Sequence, residues 1–420
     1  MKKSILLILL APLFLTGESI SVREAVEFAN INNKDIQMQK KSVTIKNLQY
    51  SKSFLYYLPE INLNTSWSKT GGDRPYQSVI DSGYSGTISL TQPIFNYNYI
   101  EGVAFASIDK VKEEISLKLI KMNVEIGTIS RFYNVLSLFN EEKAAKFLLE
   151  KSSQTFKMVE SKYELRSANK SEYLKAKVDY INSEINYNTV KSNLDISKKE
   201  LFNYIGIKYT DCIFKDDIYI DTLQIENLEI LKERLTKYDP QILAEKINLQ
   251  YSMSILRSSI SNFLPYINWN LSYSTRVDNI PTFSNWEDGD NWSTSISFVL
   301  PLFKGGRRAV DIAENKINYQ KSKINYNKTV EDRIRDLLEK ISDVRGGYLT
   351  YTSAIDAEEM AKENFNISEI QYKNGSISQI EYLNAKKIYE DAKSNLIKSK
   401  YAYLTNRLQL DVMTGKWKGE

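Results

Sequence analysis

The chain has 420 residues, a formal net charge of +4 from 56 Lys and Arg against 52 Asp and Glu, no His and a single Cys. Without His there is no His-based triad, no His general acid–base catalysis and no His-containing zinc site. The balanced, dispersed charge leaves no nucleic-acid footprint, and the one thiol, Cys212, excludes an internal disulfide and reads as a small apolar side chain.

The first residues read as a secretory signal. Lys2 and Lys3 precede a short apolar core from Ile5 to Phe14, and the small residues Gly17 and Ser19 permit cleavage nearby. That core is shorter than the ~20 apolar residues a membrane helix needs. Leu15-Thr16-Gly17 is like the start of a lipoprotein signal, but Glu18 stands where the lipidated Cys would be, so no lipid anchor is expected. No later apolar segment is long enough for a membrane helix. If the mature chain crosses a membrane, it does so as β-strands.

A short helix is expected over 34–55, followed by a hairpin of strands. The first strand opens at Leu58-Pro59-Glu60-Ile61-Asn62-Leu63, breaks at Gly71-Gly72, and returns from Tyr84 to Gln92-Pro93-Ile94-Phe95. The alternation has period two. Ile61, Leu63, Thr65, Trp67, Tyr84, Ile88 and Leu90 fall on one face; Asn62, Asn64, Ser66, Ser85, Thr87 and Ser89 fall on the other. A large aromatic-rich face opposed to an uncharged Ser/Asn/Thr face suits strands with lipid on one side and water on the other.

From about 98 to 166 apolar residues recur at steps of three and four, through Ile108, Val111, Ile115, Leu119, Met122, Ile126, Ile129, Tyr133 and Leu136. Such a helix of about 70 residues would be about 100 Å long at ~1.5 Å per residue. It meets a break at Ser167-Ala168-Asn169-Lys170, where Ser171 can cap a returning helix over 171–204. That helix carries a heptad stripe mixing Tyr with Ala and Ser, which permits close helix approach with a polar tip on each ring.

The pattern then repeats. Asn33-Lys34-Asp35-Ile36 matches Asp239-Pro240-Gln241-Ile242, the Leu-Pro pairs at 58 and 264 align, and Gln92-Pro93-Ile94-Phe95 aligns with Leu300-Pro301-Leu302-Phe303. Tyr163 to Ala176 aligns with Tyr372 to Ala385, and Leu201 and Gly206 with Leu410 and Gly415. The expected organisation is a signal at 1–19, a first repeat at 20–207, a linker at 208–226, a second repeat at 227–415 and a tail at 416–420. In the second break, Asn374-Gly375-Ser376, Gly375 suits the left-handed end of a helix and Ser378 the next cap.

One chain supplies about four membrane strands, whereas the smallest single-chain outer-membrane barrels have about eight. An open sheet edge in lipid leaves backbone groups unsatisfied, so other copies must complete the wall. Cyclic symmetry is the usual solution. Two copies give a narrow barrel; three give about twelve strands, and a homotrimer is preferred. The fold class is therefore mainly α with a transmembrane β-barrel: long α-helical hairpins forming an α-barrel, plus four strands per chain.

The residues that open and close the strands, together with Lys304-Gly305-Gly306-Arg307-Arg308 and the run from Tyr372-Lys373-Asn374-Gly375-Ser376 to Glu381-Tyr382-Leu383-Asn384-Ala385, resemble the TolC family of outer-membrane efflux proteins over essentially the whole mature chain. The resemblance implies a trimeric conduit in the outer membrane, continued by a helical tunnel across the periplasm. It serves as the exit duct of a tripartite efflux pump or a type I secretion system. It also implies a periplasmic adaptor (membrane fusion protein) and an inner-membrane pump of RND, ABC or MFS type as partners, with no catalysis and no cofactor.

Carried over residue by residue, the family's entrance constriction falls on Glu381 and Asn384. Asn384 replaces a second acid, so that ring should be less acidic than in members that have two. A latch between tip turns falls on Glu172 and Tyr372, and Ile377 replaces a polar latch residue of some members. The tip turns themselves hold Ser167, Asn169, Asn374, Gly375 and Ser376. A solvated, helix-capping Glu381 and a Tyr372 that simply packs in the seam are the plainer readings. Trp67, Trp269 and Trp292 are placed near strand ends as interfacial aromatics, and Arg307 and Arg308 where phosphate headgroups of outer-membrane lipid would lie. Asp278, Glu287, Asp288 and Asp290 lack the spacing of a calcium loop. The competing readings are a secreted coiled-coil tether and a trimeric surface adhesin.

Overall fold

The computed structural model describes residues 19–74, 77–216, 220, 223, 225–277 and 290–416, with backbone alone at 70–74, 77–82, 277 and 290. Residues 1–18 of the expected signal and the acidic residues at 278, 287 and 288 lie outside the described residues, while Ser19, expected to end the signal, is the first residue of a strand.

The elements are β1 (Ser19–Ile20), α1 (Val22–Asn32), α2 (Lys34–Leu55), β2 (Glu60–Arg74), β3 (Gln77–Asn96), α3 (Tyr97–Glu164) and α4 (Lys170–Ile205). The second half repeats them as β4 (Ile213–Phe214), α5 (Leu228–Tyr238), α6 (Pro240–Ser261), β5 (Tyr266–Val277), β6 (Asp290–Val299), α7 (Arg307–Lys373) and α8 (Gln379–Met413). The chain divides into two compact units, one of 1–39, 117–242 and 330–420 and the other of 40–116 and 243–329. Each repeat contributes to both units.

In the first unit, β1 and β4 pair in parallel, so part of the expected linker is a strand. α1 and α5 were not legible as separate helices; each is closed by a residue that also opens the next helix. Asn33 Oδ1 accepts from the backbone N–H groups of Asp35 and Ile36 at 2.9 and 3.2 Å, while its Nδ2 donates to the Tyr204 carbonyl at 2.7 Å. Asp239 stands at the matching place and caps Gln241 and Ile242 at 2.9 and 3.1 Å. Its other oxygen accepts from Arg333 Nε and Nη2 at 3.1 and 2.8 Å. An amide can donate to a carbonyl and a carboxylate cannot, so each repeat supplies the partner its own cap requires. The core here includes Val22, Ala25, Val26 and Ala29 of α1, Leu201, Phe202 and Ile205 of α4, and Phe132 of α3. Phe214 packs edge-on against Phe132 and Phe202.

In the second unit, β2, β3, β5 and β6 form one antiparallel sheet in that order. The expected break at Gly71-Gly72 is corrected. β2 continues through both glycines, which pair with Ile80 and Val79, and the ladder reaches Arg74 opposite Gln77. A register shift between Pro93 and Phe95 bends β3 before α3 begins, a bulge of the kind that accommodates a Pro lacking its N–H.

Gly206 and Gly415 end the returning helices with φ of 86° and 67°. A Cβ on Gly206 would lie 2.3 Å from the Asn32 carbonyl oxygen, whereas one on Gly415 would meet only Tyr238 Cβ at 3.8 Å. Gly206→Ala therefore adds a backbone clash to the left-handed penalty of about 1–2 kcal/mol, while Gly415→Ala carries the penalty alone. Thermal unfolding of the two variants should show the larger loss for Gly206→Ala; equal losses would contradict the close approach of α1 to the end of α4.

Candidate functional site

Two features stand apart from ordinary packing: the two-faced sheet and the pair of helical turns.

Across the sheet, register gathers like side chains into rows. Ile61, Leu90 and Leu271 form one apolar row; Leu63, Ile88, Tyr273 and Trp292 form the next. The polar rows are Asn62, Ser89, Ser272 and Ser293, and Asn64, Thr87, Ser274 and Asn291. Hydroxyls bond across strands at 2.8 Å, Ser66 to Ser85 and Ser272 to Ser293. The apolar face is uncovered, with Ile61 67% exposed, Trp292 67% and Ile296 71%. An uncovered apolar patch of this kind marks an interaction surface. The sheet is also open at both sides among the described residues, because β2 pairs only with β3 and β6 only with β5.

Trp269 and Trp292 sit close to the ends of β5 and β6, and Trp269 Nε1 donates to Thr294 Oγ1 at 2.9 Å. Trp67 does not: it is at the middle of β2, opposite Tyr84. Arg307 is exposed, but Arg308 is only 9% exposed. The Arg308 Nη1 donates to the Pro301 carbonyl at 2.8 Å, and its guanidinium lies 5.0 Å from the Phe263 ring centroid. It clamps the strand exit and is not presented to a headgroup.

The two turns share one construction. Arg166 N–H donates to Tyr163 O at 3.0 Å and Ser167 N–H to Lys162 O at 2.8 Å; Gly375 and Ser376 repeat these bonds to Tyr372 and Gln371 at 3.0 and 2.8 Å. These are the paired bonds of a Schellman stop. It places Gly375 at φ 75° and Arg166, unusually for a non-glycine, at φ 58°.

The cap of α4 is Asn169 and not Ser171. Asn169 Oδ1 accepts from Glu172 N–H at 2.9 Å, and Glu172 Oε2 accepts from Asn169 N–H at 3.2 Å. Ser378 and Glu381 form the matching capping box on α8, where Ser378 N–H donates to Glu381 Oε2 at 2.8 Å. The carboxylates singled out in the sequence as gate residues thus each hold a helix start. Glu381 and Asn384 are both exposed and lie three residues apart, on one face of α8. Asn374 and Ser376 are exposed within the second turn.

Aromatic rings behind each turn repeat as well. Tyr163 stacks on Tyr173 with centroids 5.0 Å apart, and Tyr372 on Tyr382 at 5.0 Å. Phe156 stacks on Tyr180 at 5.8 Å and Phe365 on Tyr389 at 5.4 Å. Burial raises the Tyr382 phenol to about 12. Burial also raises Tyr372, the charge of Glu172 adds to the rise, and Tyr372 packs in the seam against the buried cluster that holds Phe365 and Tyr382.

The contacts that tie one turn to the other were missed by sequence reasoning. Gln379, buried, donates to the Glu172 carbonyl at 3.0 Å. Lys386, 3% exposed, donates to both Asp179 oxygens at 2.7 Å and to Ser183 at 3.1 Å. Glu369 of α7 accepts from Lys151 of α3 and from Lys373, each at 2.9 Å. Burial works to raise the Glu369 carboxyl, but the two ammonium groups outweigh it and hold the group below its ordinary 4.5. The only available signals were the charges themselves, separated by roughly two hundred residues. Among the described residues no helix is long and apolar enough to cross a membrane, and no acidic or Cys cluster is placed to hold a metal ion.

Long paired helices ending in matched capped turns, joined to a four-stranded sheet with opposed apolar and polar faces, define the outer-membrane channel fold. Residues 232–416 match the family model described as outer membrane efflux protein. The chain is 18% identical over 365 residues to outer membrane protein TolC of Salmonella enteritidis, covering 85% of this chain and 74% of that one. Among solved structures it resembles the Campylobacter jejuni CmeC outer membrane channel (TM-score 0.78, 16% identity, 94% of this chain and 85% of that). The outer membrane protein VceC of Vibrio cholerae is similar too (TM-score 0.74, 14% identity, 94% and 96%).

Two outcomes follow for the turns. Asp179→Ala leaves a buried ammonium without its carboxylate and should cost about 3 kcal/mol or more in thermal or denaturant unfolding, while Lys386→Met, which removes the charge and keeps the volume, should cost less. Glu369→Gln should destabilise at neutral pH. A carboxyl depressed on folding contributes stability above its unfolded value and loses it as pH falls through the folded value. The gap between parent and variant should therefore close as pH drops below 4.5, and a gap that persists in acid would contradict the assignment.

Proposed function

We propose that this protein is an outer-membrane channel, the exit duct of a tripartite efflux pump or type I secretion system, which conducts substrates passively from the periplasm to the exterior. The observation that carries this reading is the sheet: apolar rows left uncovered on one side, hydroxyl and amide rows on the other, and two unpaired edges. Lipid suits the first face, water the second, and neighbouring copies the edges. Three chains would close a barrel of about twelve strands, within the range of such barrels. The two turns of each chain then form the periplasmic entrance, where Glu381 and Asn384 line the constriction and Glu172 with Tyr372 helps to hold it shut. A periplasmic adaptor and an inner-membrane pump complete the assembly. Headgroup contact at the strand exit falls to exposed Arg307.

The tether and adhesin alternatives are not favoured, because a water-soluble coiled coil would not leave a continuous apolar sheet face exposed, and the match of residues 232–416 to the outer membrane efflux model supports a duct. Fractionation and planar-bilayer recording test the proposal. The protein should require detergent for extraction and should form discrete conductance steps. Tyr372→Phe combined with Glu172→Ala should raise the resting conductance. A protein that stays in buffer without detergent and passes no current would refute the channel.

A further inference from the structure

The polar face of the sheet carries a single carboxylate among its described side chains, at the level where β2 begins. On β3, Ser85, Thr87, Ser89 and Thr91 face that side; on β5, Asn268, Asn270, Ser272 and Ser274; on β6, Asn291, Ser293, Ser295 and Ser297. On β2 the same face holds Asn62, Asn64 and Ser66. None of these is charged. Glu60, the first residue of β2, is the exception. It is exposed, stands in register with Thr91, and shares its face with Asn62, whose Nδ2 donates to Glu60 Oε1 at 3.2 Å.

The next charge on this face among the described side chains is Arg276, in register with Ser85 and hence with Ser66. Six residues of strand separate the two levels, about 20 Å at ~3.3 Å per residue. That exceeds the screening length of about 8 Å at physiological ionic strength, so the two levels act independently. A lone carboxylate on a hydroxyl-lined wall has no neighbouring cation in its own row, which is Glu60, Thr91, Asn270 and Ser295.

We propose that Glu60 is a second selectivity level of the pore, at the inner mouth of the β-barrel and separate from the helical turns. This rests on the barrel reading above. Repeated once per copy around a closed wall, its carboxylates attract cations and repel anions as they pass, while the rows of Asn62 and Asn64, between the Glu60 level and that of Arg276, are neutral and set only width and hydration.

The test is the cation-to-anion permeability ratio, read from reversal potentials in a potassium chloride gradient across planar bilayers, with the full-length protein in a Glu381→Gln background so that the turns contribute less field. Glu60→Gln should lower the ratio at least about twofold, as expected when a local potential below one kT is removed. Glu60→Lys should shift it further toward anions. Glu60→Gln with Thr91→Glu returns a carboxylate to the same row from the adjacent strand and should restore the parent ratio. Channels whose ratio is the same in all three variants would overturn the role of Glu60 while leaving the barrel intact. No conductance from the unsubstituted chain would instead overturn the barrel itself.

Discussion

A backbone N–H or C=O left unpaired in hydrocarbon costs several kcal/mol, and among the described residues the sheet of this protein leaves two edges unpaired, β2 and β6. The uncovered apolar rows and the open edges therefore make a single demand. The surface that suits lipid is viable in lipid only if the edges are paired, and among the described residues the chain has no further strand to pair them. On the barrel reading proposed above, association is demanded by the backbone before any side chain is considered. The directions agree: β2 and β6 are antiparallel, so the β6 of one copy can continue the ladder onto the β2 of the next.

The duplication shows how one plan tolerates divergence. Capping boxes at Asn169–Glu172 and Ser378–Glu381 and the stacked rings behind them are equivalent in detail. The helix stops differ: Gly375 takes the left-handed turn without penalty, whereas Arg166 accepts it with a side chain. The caps at Asn33 and Asp239 differ too, and each carries a matched partner. What is kept is the geometry that brings two helix pairs side by side; what varies is the chemistry that stabilises each.

Much of this was legible in the sequence. Period-two alternation placed the strands and their faces, because pleating imposes that period. The expected helix over 34–55 has the observed bounds of α2. The misreadings have physical causes. Gly71-Gly72 looked like a break because Gly weakens strands, but hydrogen-bonded pairing on β3 carries β2 through it. Ser171 has the side chain of a cap, but Asn169, three residues before Glu172, holds the capping-box spacing and is the cap. Arg308 looked like a headgroup contact, yet the Pro301 carbonyl and Phe263 ring claim it. The Lys386–Asp179 tie depends on which helices pack together, and no local pattern in either segment announces it.

Closure by copies of the same chain is tested most directly by cysteine pairs, one on β2 and one on β6, introduced along both edges in a Cys212→Ser background and oxidised in the membrane. Pairing between copies should give covalent species of two and three chains and nothing larger. Chains that remain single at every pair of positions, or ladders that continue past three, would contradict it.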